Sequence, residues 1–236
     1  MKSLILLWMR VFSVIGISFL TTTASAQLWT FDSDAQGWRI NDLTGLGDYS
    51  ASHGTFAANW NAGGGASGGF ISARDPSDFT FMFQAPSAQL GDYSRFLGGK
   101  LSFSLQTDLV ADYSGDSVII FRGGASNQTL VSAIAPQPNP TWTNYSIPLL
   151  ASQFHYNNLG GALVSESDFA TVLGSLNDFL IDAEYHSGAE ETTGLDSVSF
   201  AAPVPEPSTY GMVAVGGLLA LITARRRIKA RSAGHN

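Results

Sequence analysis

Cysteine is absent from the whole chain, which removes disulfide staples, thiolate catalysis and cysteine metal sites together. Basic charge is scarce where a polyanion would need it. Lys2 and Arg10 stand at one end and Arg225, Arg226, Arg227, Lys229 and Arg231 at the other. Between them lie only Arg39, Arg74, Arg95, Lys100 and Arg122 against about eighteen acidic side chains, a net charge of about −13 that makes nucleic acid a poor partner. Catalytic signatures are missing too. There is no Gly-x-Ser-x-Gly elbow framed by a strand and a helix and no EF-hand run, and His53, His155 and His186 are dispersed without zinc spacing. Glu190 and Glu191 form a carboxylate pair, but adjacency in sequence does not give the facing geometry of acid/base hydrolysis. The expectation is a non-enzyme.

What is present begins at the ends. Lys2 and Arg10 precede the apolar run Val11 to Leu20 and the small residues Ala24-Ser25-Ala26, the layout of a secretory signal cleaved after Ala26. The run is too short to serve as an uncleaved anchor. Near the other end the uncharged stretch 210–224 is followed at once by Arg225, Arg226 and Arg227, a cluster that halts translocation and stays inside. It reads as a single transmembrane helix, short for a permanent anchor, with a basic tail at 225–236. Val204-Pro205-Glu206-Pro207 sits just before it, and its prolines hold the segment extended where a peptidase can reach it.

The body from 27 to 203 is sized for one domain. Its main signal is alternation of period two, clearest at Lys100 to Gln106, where Leu101, Phe103 and Leu105 share a face and serines the other. Similar runs occur at Phe70 to Ala73, Phe79 to Gln84, Ser117 to Phe121, Thr129 to Ile134, Trp142 to Leu149, Phe179 to Tyr185 and Leu195 to Phe200, separated by Gly, Asp, Asn and Pro. This pattern predicts a mainly β protein, an antiparallel sandwich or jelly roll. One helix is predicted, with a capping box at Ser165 to Asp168 and an apolar stripe of Phe169, Val172, Leu173 and Leu176 that plugs one end of the sandwich. Gly63 to Gly69 reads as a loop, since no strand-then-helix frame surrounds its G-x-G-x-x-G match.

Two sets of side chains suggest binding. Asp32 and Asp34 open the domain and Asp196 lies in its last strand. If first and last strands adjoin, their hard oxygens suit a structural calcium ion, and otherwise they make turns. Trp38, Trp60, Tyr93, Tyr113 and Tyr156 fall in or near loops, where aromatic faces stack on sugar rings; the alternative is packing. Trp142, in an alternating strand, is assigned to the core.

Two resemblances cover most of the chain. The Pro-Glu-Pro motif, short apolar helix and arginine-rich end together resemble the PEP-CTERM sorting tail of bacterial envelope proteins over residues 204–236. That resemblance implies processing by an exosortase, transient residence in the inner membrane, and release from or transfer to the cell surface of an exopolysaccharide producer. The body resembles the laminin IV type A (laminin B) domain, a galactose-binding-like sandwich. The resemblance is carried by Gly69 to Asp75, Ala85 to Phe103, the Trp142 to Tyr145 strand, Val172-Leu173, and Ala183 to Tyr185 before Gly194 to Val198. Members of this group hold a structural calcium, which the resemblance extends to Asp32, Asp34 and Asp196. The leading expectation is an exported, non-enzymatic envelope or matrix protein that binds glycan, the cell's own exopolysaccharide. The alternatives are an adhesive protein acting through protein contacts and an exported polysaccharide-degrading enzyme.

Overall fold

A computed structural model describes residues 26–43, 52–77, 79–112, 117–187, 191–204 and Gly217. The signal segment, the motif residues Pro205, Glu206 and Pro207, Arg225, Arg226, Arg227, and Tyr113 and Glu190 lie outside the described residues. So does the stretch 210–224 apart from Gly217, and among the described residues no helix is long and apolar enough to cross a membrane.

The strands in chain order are β1 (Ala26–Trp29), β2 (Arg39–Leu43), β3 (Ser52–Ala57), β4 (Asn59–Asn61), β5 (Phe70–Arg74), β6 (Phe81–Gln84), β7 (Lys100–Thr107), β8 (Val118–Gly123), β9 (Gln128–Ala133), β10 (Thr143–Pro148), β11 (His155–Tyr156), β12 (Leu176–Asp182) and β13 (Thr192–Ala201). The single α-helix, α1, spans Glu166–Gly174. Two sheets form. The first runs β10-β7-β13-β5-β4, with β1 also on β13; the second runs β11-β9-β8-β12-β6-β2-β3. Neighbours pair antiparallel, so the fold is the antiparallel β-sandwich with one helix that alternation predicts.

Register explains which side chains make the core. In β7, Leu101, Phe103 and Leu105 are buried and face Ile147, Tyr145 and Thr143 of β10. Side chains alternate across a strand, so Ser102, Ser104 and Gln106 project outward together with Asn144 and Ser146. Between the sheets, Phe121, Phe154, Phe179 and Phe200 meet ring against ring at 5.2–5.9 Å.

The helix forms where its capping box places it: Ser165 Oγ accepts the Asp168 N–H at 3.1 Å. It ends earlier than its apolar spacing suggests. Leu176, assigned to the helical stripe, is the first residue of β12, because Ser175 leaves helical geometry and the Leu176 N–H donates to Gly91 O at 2.8 Å. Phe169, Val172 and Leu173 are fully buried, and Phe169 lies 4.8 Å from Phe154. The helix closes the end of the sandwich where β8 stops and β12 starts, backed by Gly123. A Cβ there would come within 2.6 Å of Val172 O and Ser175 O.

Candidate functional site

The calcium candidates sit around a notch in the first sheet. β1 and β5 flank the same side of β13, β1 on Val198–Ala201 and β5 on Thr192–Leu195, which leaves Asp196 between them. The expectation that first and last strands adjoin is met. Ser197 has φ 55° and the pairing with β7 shifts register there. Asp196 pairs with Ser104 on the outer face yet is wholly buried, because the loop 63–69 folds across it. The Ser67 N–H donates to Asp196 Oδ2 at 2.8 Å. A Cβ on Gly65 would crowd that oxygen at 2.8 Å and Gly69 O at 2.6 Å, so glycine is what lets the loop close.

Burial pushes the Asp196 carboxyl up, opposed by the N–H groups it accepts from Ser67 and Ser197. Its Oδ1 is buried without a partner. Asp32 is exposed and presses its Oδ1 against Gly68, on the same loop. Asp34 is placed otherwise: its Oδ1 accepts the Gln36 N–H at 2.7 Å, a turn of the kind weighed against metal binding. Among the described residues no three carboxylate or imidazole side chains converge on one point.

The aromatic candidates divide. Trp38 and Tyr93 are 2% and 3% exposed, so neither offers a face to a ligand. Trp38 packs edge-on against Trp29, Phe31 and Phe179, and the Tyr93 hydroxyl donates to Gln89 O at 2.8 Å. Burial raises the Tyr93 phenol to about 12. Tyr156 is tied to the helix cap, donating to Asp168 Oδ2 at 2.6 Å and accepting the Ser165 N–H. Trp60 stays 40% exposed on the edge strand β4, although its indole N–H donates to Phe31 O at 2.6 Å. Tyr113 lies outside the described residues.

Trp142 requires a correction. It is half-buried on the outer face, not in the core, because Thr143, Tyr145 and Ile147 are the β10 positions that oppose Leu105, Phe103 and Leu101. Its ring meets Phe70 edge-on at 5.3 Å and its N–H donates to Gly64 O at 2.8 Å. Both rings lie over Gly194, where a Cβ would be 3.0 Å from Trp142 and 3.2 Å from Phe70. Beside this pair opens a groove of about 240 Å³ lined by Asn61, Phe70, Ser72, Gln106, Asp108 and Thr192. The ring of Phe70 faced by amide, hydroxyl and carboxylate groups is the chemistry of a polyhydroxyl ligand site. Strand parity at 143–147 could have revealed it.

A second polar cluster escaped notice in the sequence. Glu191, set aside as one of an adjacent carboxylate pair, is wholly buried, and Asp182 and Glu184 are 1% and 8% exposed. Burial, then the charges of Asp75, Glu191, Asp182 and Asp42, lift Glu184 to about 9; burial lifts Glu191 to about 7. The signal was the strand Phe179 to Tyr185, whose alternation sets Asp182 and Glu184 on one face.

The architecture is that of an antiparallel β-sandwich, with the groove beside Trp142 and Phe70 on the outer face of one sheet. The chain belongs to the Laminin B (Domain IV) family, whose model matches residues 82–215. It is similar to the L4b domain of human laminin alpha-2, at 17% identity over 75% of this chain and 97% of that one, with a TM-score of 0.58. A family 11 carbohydrate-binding module of a Clostridium thermocellum cellulase aligns at 14% identity over 79% of this chain and 99% of that one, with a TM-score of 0.49. A basement membrane proteoglycan of Caenorhabditis elegans is 24% identical over 132 residues, which are 55% of this chain and 4% of the relative. At 17% identity the likeness to the laminin domain speaks to the fold alone.

Proposed function

We propose that the chain is an exported, non-enzymatic surface or matrix protein that binds glycan in the groove beside Trp142 and Phe70. The observation that carries this reading is the groove itself. Phe70, whose ring packs with that of half-buried Trp142 over Gly194, lines it together with Asn61, Gln106, Asp108 and Thr192, so a sugar ring finds an apolar face and hydroxyl partners together. The acidic body favours neutral over anionic polysaccharide. Membership in a family with extracellular matrix relatives supports export. The secretion signal and the PEP-CTERM-like tail supply the route: passage across the inner membrane, then exosortase processing near Val204 to Pro207. Val204, 78% exposed, leads out of the fold toward that segment.

Calcium belongs to the same reading as a structural ion. The unpartnered Asp196 Oδ1, the Asp32 carboxylate that lies against the same loop and the loop's carbonyls are an all-oxygen set of the right kind, without Asp34. The ion would pin the glycine-rich loop whose Gly64 carbonyl holds the Trp142 indole.

Retention of the full chain on immobilised neutral and acidic polysaccharides, with calcium and in chelator, tests this. Trp142→Ala is expected to weaken retention at least about tenfold, roughly 1.4 kcal/mol, at unchanged far-UV circular dichroism. No retention on any polysaccharide contradicts the glycan reading. A second reading, adhesion through protein contacts, is favoured by Phe56 and Trp60, 48% and 40% exposed on the edge strands β3 and β4. Self-association at micromolar concentration without sugar, seen by sedimentation, would support it.

A further inference from the structure

The end of the sandwich away from α1 buries carboxylates from several elements at once. Asp42 stands near the end of β2 and Asp182 ends β12, with Glu184 two residues beyond; Asp75 follows β5 and Glu191 precedes β13. The main chain fastens these pieces together. The Asp75 N–H donates to Glu191 O at 2.9 Å, and the Ala183 N–H donates to Phe81 O at 3.1 Å. The segment after β12 then wraps Glu191, whose Oε1 accepts the N–H groups of Tyr185 and His186.

One oxygen of each key carboxylate is buried and unmet. Glu191 Oε2 and Glu184 Oε2 are buried with no hydrogen-bond partner, although the residues are 0% and 8% exposed. Thr80 Oγ1 is a third unpartnered buried oxygen, on a residue 7% exposed that adjoins Phe81. An unmet buried acceptor is costly, and more so when charged. Three oxygens without donors at one end are therefore a poor arrangement for the protein alone and a good one for a hard cation.

We propose that this end binds one divalent cation of the calcium class through Glu184 and Glu191, a second site separate from the one at Asp196. Among the described residues no three acidic or histidine side chains meet at a point, so main-chain carbonyls and water complete the oxygen shell. Asp42, Asp75 and Asp182 contribute by their field, which every cation entering this end feels. A bound ion would join the ends of both sheets, since Glu184 follows a strand of one and Glu191 precedes a strand of the other.

Calorimetric titration and thermal unfolding of the full chain at pH 8 test this, in wild type, the Glu184→Gln/Glu191→Gln double variant and Asp196→Asn. Two calcium ions are expected for wild type and one for each variant. Saturating calcium should raise the wild-type Tm by about 5 °C or more. In chelator the double variant should melt at or above wild type, because it has lost repulsion and not packing, which keeps its folding from confusing the result. If the double variant binds as many ions as wild type, the proposal is overturned. It is equally overturned if wild type binds one ion and Asp196→Asn none, an outcome that leaves the Asp196 reading standing. Stability that responds to pH and never to calcium overturns it as well, showing that protons occupy the two carboxylates.

Discussion

The two ends of the sandwich are closed by opposite means. At the helix end Phe169, Phe154 and Phe121 stack in succession at 4.8 and 5.2 Å, and the main chain is satisfied by Tyr93 N–H to Leu173 O and Leu176 N–H to Gly91 O. At the far end the closing groups are carboxylates, with the unmet oxygens of Glu184, Glu191 and Thr80 among them. The first end owes its stability to apolar burial, which pH and ions scarcely touch. The second depends on what the solution supplies, because Glu184 and Glu191 must each hold a proton or meet a cation.

Substitutions at the two ends should therefore differ in sign. The largest effect is expected from Phe169→Ala, a loss of about 3–5 kcal/mol in urea unfolding, since it opens a cavity in the aromatic stack. Gly123→Ala should cost about 2–3 kcal/mol by the same measurement. Its Cβ would press on the carbonyls of Val172 and Ser175, main-chain atoms with little room to yield. Ser165→Ala removes the cap on Asp168 N–H and should cost about 1 kcal/mol. At the other end Glu184→Gln should stabilise at pH 9 in chelator, on the order of 2 kcal/mol. Destabilisation by Glu184→Gln under those conditions would erase the contrast between the ends.

Much of this was legible in the sequence, for physical reasons that also mark where reading stopped. The capping box at Ser165 and the alternation of Lys100 to Gln106 are local patterns, and both formed as written. The strands β2, β3 and β4 passed unseen. Ser52–Ala57 is exposed almost throughout and Asn59–Asn61 is short and polar, so neighbours rather than periodicity make them strands. β2 buries Asn41 and Asp42 beside Ile40, which hides its alternation. The candidate site was half visible. Asp32 and Asp196 reach one loop as spacing alone could not guarantee, whereas Trp142 was misplaced by a one-residue error of parity that flips a side chain to the other face. Burial of Glu191 depends on the wrap of residues 183–186, a tertiary event with no local signature.

The most direct test of the contrast is the urea midpoint of the full chain in chelator from pH 5 to pH 9. Glu191 and Glu184 bind their protons more tightly folded than unfolded, up to about 7 and about 9 from an ordinary 4.5. The stability they confer is complete below that ordinary value and is lost as pH climbs through each folded value. The midpoint should fall from pH 5 to pH 9, and Glu184→Gln should remove the part of the fall between pH 7 and pH 9. A wild-type midpoint that stays level or rises across that range would contradict the account.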